Sequence, residues 1–403
     1  MIIERSLKKI RKFSKILIIL LILIYIKIDL VAMDNSIEFA RLPANIPYLH
    51  YGDIQWIDYD NDGDLDIITS GQDSNQVKMT KLFINNGNTN FSESEIKFTD
   101  LYLSTISVID FNQDGYMDFI ISGSTAKNEY KTILYKNTVS GFEECTQILF
   151  DNVKEAVFAW GDYDNDNDLD LFISGEIEYD RREKITKVYK NLGNSMFSEI
   201  NFIFPNSNIS KISTADWVDI NGDNKLDLII TRFSRPLTIY INKGNDKFTK
   251  HPITDYNCSY GDVEVFDFDL DNDLDIVLNG EVTWGKYVTK LLLNEGNLMF
   301  QESNNELLKC SQGSTLALDF DNDNDLDLLI CGRTGVRLPA TLIYETKLYE
   351  NKNCELIELD LELPNTNLSR LGDFDNDGDM DILMGNITDK GREILILINL
   401  LKE

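Results

Sequence analysis

Residues 58–66 read DYDNDGDLD. Five of the nine are aspartates, one at every second position. So many like charges in one short turn repel one another unless something of opposite sign lies among them. The stretch then recurs as DFNQDGYMD (110–118), DYDNDNDLD (162–170), DINGDNKLD (219–227), DFDLDNDLD (267–275), DFDNDNDLD (319–327) and DFDNDGDMD (373–381). The steps between first aspartates are 52, 52, 57, 48, 52 and 54 residues. A fixed period of this size marks a repeat architecture in which each unit is one supersecondary element.

More recurs around each copy. An apolar run ending in a small or polar residue follows the loop, as in LDIITSG, MDFIISG, LDLFISG and LDIVLNG. A second run follows, usually closing on Asn or Gly, as in KLFINNG, KVYKNLG, TIYINKG and KLLLNEG. A segment such as NFSESEIKF or DKFTKHPI then leads to the next loop. These runs are short, rich in Ile, Leu, Phe and Tyr, and bounded by turn residues, which predicts strands. No segment after residue 33 keeps a 3.6-residue apolar period, so no helix is expected there. Four strands per unit and seven units predict an all-β, seven-bladed β-propeller. The last copy ends after its third strand, EILILINL (393–400), and SIEFARLPAN (36–45) resembles the fourth-strand segments elsewhere. That N-terminal strand is expected to complete the last blade, close the ring and shield its open edges.

The opening question has a chemical answer. Positions 1, 3, 5 and 9 of each nonapeptide are always Asp or Asn. They are Asp58, Asp60, Asp62 and Asp66; Asp110, Asn112, Asp114 and Asp118; Asp162, Asp164, Asp166 and Asp170; and Asp219, Asn221, Asp223 and Asp227. The last three copies supply Asp267, Asp269, Asp271 and Asp275; Asp319, Asp321, Asp323 and Asp327; and Asp373, Asp375, Asp377 and Asp381. Position 7 is Asp64, Asp168, Asp273, Asp325 or Asp379 in five copies, but Tyr116 and Lys225 in the others. A lysine is no cation ligand, so position 7 is read as offering its backbone carbonyl. Position 6 is Gly63, Gly115, Asn167, Asn224, Asn272, Asn324 or Gly378, the residue types that best tolerate a left-handed backbone. The loop is therefore expected to turn at position 6 and wrap its oxygens around one centre. Oxygen ligands without His or Cys select Ca²⁺, up to seven ions, with Mg²⁺ or Mn²⁺ as alternatives at single sites. An EF-hand is excluded, because position 12 is Thr69 or Ile121 rather than Glu and the flanks are strands. Copies 2 and 4, with Asn112 and Asn221 and fewer carboxylates, are expected to bind more weakly.

Composition agrees. The chain has 403 residues, is 43% hydrophobic and carries a formal charge of −30. It has the apolar content for a core, and its charge excludes a nucleic-acid partner, which needs a basic face. The loops hold 31 aspartates, nearly the whole acidic excess of residues 34–403. The first 33 residues are different: they carry seven basic and two acidic side chains, leaving 34–403 near −35. MIIERSLKKIRKFSK followed by the apolar ILIILLILIYI (16–26) reads as an export signal, with cleavage near Ala32–Met33. The run is too short to span a bilayer comfortably, so membrane attachment is expected only if the segment stays as an uncleaved anchor. The expected domains are 1–33, signal, and 34–403, propeller, secreted or on the cell surface and monomeric. Cys145, Cys258, Cys310, Cys331 and Cys354 are far apart and odd in number, which suits free buried thiols better than a disulfide scaffold.

Seven D-x-[DN]-x-D-[GN]-x-x-D loops between strands, some preceded by Gly-Asp as in WGDYD (160–164), resemble FG-GAP/VCBS repeats. That resemblance covers roughly residues 36–403. It implies the propeller of integrin α-subunit heads and of many secreted microbial proteins, with calcium in the loops. SG dipeptides and WGDYD stand where the name-giving Phe-Gly and Gly-Ala-Pro pieces would be.

A structural role for the metal leaves function to the rest of the ring. The connections between second and third strands vary most: 70–81, 175–187, 280–290 and 332–347. They fall on the face opposite the aspartate loops and hold Arg181, Arg182, Trp284, Tyr287, Arg333 and Arg337. Aromatic and Arg side chains are favoured anchors in recognition. The reading is an adhesion or recognition module for a protein or glycan ligand on that face, without catalytic residues. The alternative is a secreted polysaccharide lyase or hydrolase. It finds little support: His50 and His251 are far apart, and neither G-x-S-x-G nor HExxH occurs.

Overall fold

The run after each aspartate loop forms a strand buried on both sides. In Asp118–Ser124 all seven residues are buried, as are all six of Asp227–Arg232. A continuous apolar run, rather than an alternating one, suits a strand with packing on both faces. Its neighbours mix buried and half-buried residues, as in Val153–Gly161. The computed structural model describes the chain except residues 1–29, 34–36, 88–89, 178–182, 203, 205–210, 338–340, 389–390 and 401–403.

The strands form seven antiparallel sheets, six of them four-stranded meanders. Blade 1 is His50–Ile57, Asp66–Gln72, Lys78–Asn85 and Phe91–Glu93. Blades 2 to 6 repeat that order, starting at Tyr102–Ile109, Val153–Gly161, Ile212–Val218, Val263–Phe266 and Thr315–Leu318. Blade 7 takes three strands from the C-terminal end, Ser369–Gly372, Asp381–Thr388 and Gly391–Asn399, and its fourth from the other end of the chain. Ile37–Pro43 pairs antiparallel with Gly391–Asn399, Phe39 opposite Asn399 and Pro43 opposite Leu395. Leu30–Met33 adds a fifth strand outside it. The fold is an all-β, seven-bladed propeller, and no helix occurs among the described residues. The apolar run 16–26 and most of the expected signal lie outside the described residues; the expected cleavage point falls within Leu30–Met33.

The core lies between blades, not within them. Tyr163, Phe172 and Val188 of blade 3 pack with Trp217, Leu228 and Tyr240 of blade 4. At the junction of blades 7 and 1, Leu42, Phe374 and Leu383 pack with Ile54, Trp56 and Ile67. This explains the aromatic at position 2 of most loops. Phe374 stacks on Trp56 of the next blade at 5.7 Å between centroids, and Tyr163 on Trp217 at 5.5 Å. Such pairs are worth about 0.5–1.5 kcal/mol beyond their burial.

First strands lie side by side around the axis. In five blades a polar side chain five residues before the loop ties the first strand to the next blade. Asp53 Oδ2 accepts from Ile106 N at 3.0 Å, Asp262 Oδ2 from Thr315 N at 2.9 Å, and Ser314 Oγ from Ser369 N at 3.3 Å. Arg370 Nη2 closes the circle by donating to Asp53 Oδ1 at 2.7 Å. Within a blade the first and second strands also approach closely here: a Cβ on Gly52 or Gly313 would lie 1.7 Å from Ser70 O or 1.8 Å from Cys331 O of the same blade's second strand.

Candidate metal centre

Each nonapeptide is the turn between first and second strands, so all seven stand on one face. Position 6 has positive φ in every copy, from 62° at Asn224 to 100° at Gly378. Position 4 does too, which the sequence reading did not anticipate: Gln113 sits at 55° and Leu270 at 59°. Two left-handed residues bring the polar side chains to one side. The first aspartate then binds the loop's backbone, as Asp162 Oδ1 and Oδ2 accept from Asp166 N at 2.9 Å and Asn167 N at 2.8 Å. Position 5 accepts from the N–H of position 7 in all seven copies, as Asp271 Oδ1 does from Asp273 N at 2.9 Å.

The position 9 aspartates are different. All seven are buried, with relative exposure of 1% or less. One oxygen of each accepts from the backbone N–H of an asparagine at the end of the third strand, at 2.6–2.8 Å. In five copies the other oxygen accepts from position 2, as Asp381 Oδ2 does from Phe374 N at 2.7 Å. In copies 2 and 4 it accepts instead from the position 3 amide, Asn112 Nδ2 at 2.9 Å and Asn221 Nδ2 at 2.7 Å. There a side-chain amide takes the place of the position 2 N–H.

The carboxylates gather accordingly. Ligand atoms of Asp58, Asp60 and Asp62 lie within 4.8 Å of one another, as do those of Asp162, Asp164 and Asp166, and of Asp267, Asp269 and Asp271. In the last two loops the gathered sets are Asp319, Asp321 and Asp327, and Asp373, Asp375 and Asp381. Among the described residues no such triple forms in loops 110–118 and 219–227. The remaining position 7 side chains do not join these sets, and Lys225 pairs with Asp223 at 3.2 Å.

Electrostatics and satisfaction test whether these sets suit a cation. Oδ1 of Asp58, Asp164, Asp269 and Asp321, and of Asp325, is buried without a hydrogen-bond donor. Buried carboxylate oxygens without donors are costly and normally find a partner. Burial, reinforced by neighbouring carboxylates, pushes Asp66, Asp118 and Asp170 up to about 7, and Asp327 and Asp381 up to about 8, against backbone N–H groups that lower them. A nearby cation favours the ionised form and reverses that shift. All-oxygen donors with donorless buried atoms fit a hard divalent cation. Lys190 Nζ lies against Asp164 and Asp166, so blade 3 already has one local counter-charge.

The third-strand asparagines are the residues the sequence reading missed. Asn85, Asn137, Asn191, Asn242, Asn294, Asn351 and Asn399 are all buried. In blades 2 to 7 the side-chain Nδ2 donates to the position 2 carbonyl of the preceding blade's loop, from 2.7 Å (Asn137 to Tyr59) to 3.5 Å (Asn294 to Ile220). Most also donate to position 8 of their own loop, as Asn242 does to Leu226 O at 3.1 Å. The signal was an Asn closing the second apolar run of every repeat. Position 4 links the loops as well: Asn61 Nδ2 donates to Gly115 O at 3.2 Å, and Asn376 Nδ2 to Gly63 O at 2.9 Å across the closure.

On the opposite face, Trp284 is 88% exposed. Arg333 is not a surface anchor: it is buried, ion-paired to Glu281 at 2.7 Å, and lies over the Tyr287 ring. Arg181, Arg182 and the side chain of Arg337 lie outside the described residues. The cysteines are free, and Cys354 is exposed rather than buried, because it sits in the turn after the third strand of blade 6.

The family described as FG-GAP-like repeat matches the chain four times, at residues 58–121, 110–173, 162–230 and 219–278. A search of curated protein sequences returns no match. Among solved structures, a lectin from Aleuria aurantia in complex with alpha-methyl-L-fucoside is similar at TM-score 0.43 and 8% identity, covering 87% of this chain and 96% of that one. A mutant of AofleA from Arthrobotrys oligospora gives TM-score 0.41 and 10% identity over 68% of this chain and 84% of that one. BBS1N in complex with ARL6DN gives 0.36 and 14% over 74% and 92%.

Proposed function

Because the chain belongs to the FG-GAP-like repeat family, we propose that it is a calcium-stapled propeller, secreted or displayed at the cell surface, that recognises a protein or glycan ligand on the face opposite its aspartate loops. One observation carries the metal reading: five loops gather three carboxylates each, and four of those five hold a buried Oδ1 without a donor. The ions would be held by positions 1, 3, 5 and 9, most tightly in loops 1, 3, 5, 6 and 7. Bound Ca²⁺ would neutralise the clustered charge. The loops' own hydrogen bonds hold first and second strands in place around it. Recognition falls to the other face because the loop oxygens are committed, whereas the connections between second and third strands vary in length and project there.

The test is calcium stoichiometry on the purified chain, with thermal unfolding in calcium and in chelator. About five tightly bound ions and two weaker ones are expected. Each site held at a hundred times its Kd adds about 2.7 kcal/mol, so chelation lowers the melting temperature strongly. Zero or one ion with unchanged melting refutes the reading.

A further inference from the structure

A cavity of about 560 Å³ opens at the junction of blades 3 and 4, lined by Glu176, Lys184, Lys211, Phe233, Arg235 and Tyr260 together with Ser234. These described residues stand at the end of a second strand, the starts of third strands, the turn Phe233–Ser234 and just before two first strands, which is the face away from the aspartate loops. In a chain of net charge −30, this patch is basic. Lys154, Lys184, Lys211 and Arg235 stand there against Glu155 and Glu176. Lys211 is 2.6 Å from Glu155, and Lys154 is 3.1 Å from Glu176. Lys184 and Arg235 have no carboxylate at ion-pair distance among the described residues. Lys184 stands opposite Glu176 in the strand register and also acts on Glu155, but four cations against two carboxylates leave the patch net positive toward a ligand.

The rings supply the second half of the site. Phe233 and Tyr260 are 40% and 38% exposed and meet edge to face at 5.2 Å. Large exposed aromatics held rigid at a cavity are favoured anchors. Their faces suit the C–H surface of a sugar ring, while Glu176 and the Ser234 hydroxyl suit sugar hydroxyls. The volume lies within the range of small-ligand sites and holds a few linked rings, not a folded domain.

We propose that this cavity binds an acidic saccharide, its carboxylate or sulfate against Lys184 and Arg235 and a ring face against Phe233 and Tyr260. The inference rests on the recognition reading above and names its ligand class. Arg is the side chain best shaped for a planar carboxylate or a sulfate.

The experiment titrates the full chain, in calcium, with trigalacturonic acid, a sulfated galactotriose, neutral galactotriose and a triglutamate peptide. At least one acidic trisaccharide should bind at least tenfold more tightly than the neutral one. Lys184→Ala and Arg235→Ala should each weaken it about tenfold, and Phe233→Ala severalfold, with melting temperatures unchanged. Raising salt should weaken the acidic ligand alone. The carboxylated and sulfated arms tell which anion the site takes. Equal binding of the neutral sugar, tighter binding of triglutamate, binding that survives both cation variants, or no saccharide binding each overturns the proposal. Neutral-sugar binding or peptide binding would do so while leaving the recognition reading standing.

Discussion

Replacing Asn242 with alanine tests whether side-chain amides bind neighbouring blades together. Asn242 Nδ2 donates to Tyr163 O of blade 3 at 2.7 Å and to Leu226 O of its own loop at 3.1 Å, and its Oδ1 accepts from Gly244 N at 2.9 Å. The residue is 1% exposed, so water cannot replace the lost donors without opening the blade junction. A typical hydrogen bond contributes about 1 kcal/mol net, and an orphaned buried carbonyl costs about 1–3 kcal/mol. With two carbonyls orphaned, the expected loss is about 3 kcal/mol. Unfolding entropy of about 2 cal/mol/K per residue makes that a fall of about 4 °C if the ring melts as one unit. Asn242→Asp should cost more, because it removes both donors and adds a charge facing two carbonyls. The assay is thermal and urea unfolding, with exposed Asn304→Ala as control, expected within about 0.5 kcal/mol of the parent. The loss should appear in calcium and in chelator alike, since these bonds join protein to protein. A change below about 1 °C for Asn242→Ala, or one that vanishes in chelator, refutes the reasoning.

Asn112→Asp and Asn221→Asp replace the amide that closes loops 2 and 4 with a carboxylate, and each should add one tightly bound calcium ion, counted by titration at low free calcium. Arg370→Ala leaves Asp53, 7% exposed, without its cation at the junction of blades 7 and 1. It should lower stability by about 2 kcal/mol, less than a fully buried pair because the Arg370 side chain is partly exposed; an unshifted urea midpoint would count against the axial circle. Glu264 is buried near Asp262 and Asp216, and burial first, then the Asp262 and Asp216 carboxylates, push it up to about 8 from 4.5 against the Ala317 N–H that lowers it; Arg370 acts on the neighbouring Asp262. The folded state thus holds a proton that the unfolded state loses, so stability is full below pH 4.5 and falls as pH rises through about 8. At about 1.4 kcal/mol per pH unit this amounts to at most about 5 kcal/mol. Glu264→Gln should match the parent near pH 5 and exceed it above pH 8 in saturating calcium; parallel pH profiles would show that Glu264 does not carry the effect.

The blade count, the strand identity of each run and the turn at position 6 were legible in the sequence, because repetition shows the same local requirement seven times. A left-handed turn leaves Gly or Asn at the same place in each copy, and a doubly buried strand leaves an unbroken apolar run. Position 4 escaped notice because its left-handed residues include Gln113 and Leu270, which the loop's other hydrogen bonds hold there. The candidate ligands were legible as residue types, but not as sets. Only the folded loop shows positions 1, 3 and 5 gathered in some copies and 1, 3 and 9 in others.

The sequence by itself determined the local chemistry: seven acidic turns, the strands they join and the all-oxygen donor set. The tertiary structure decided what each repeat does for its neighbour. Asn242 and Tyr163, 79 residues apart, meet only when blades 3 and 4 stack. Arg333, which reads as a surface anchor, is buried on Glu281, 52 residues away. Lys184 and Arg235 share a cavity with Phe233 and Tyr260 because two blades and the entry to a third converge there. The physical reason is common to all three: a repeat writes its own turns and strands into consecutive residues, whereas contacts between repeats depend on how the ring closes.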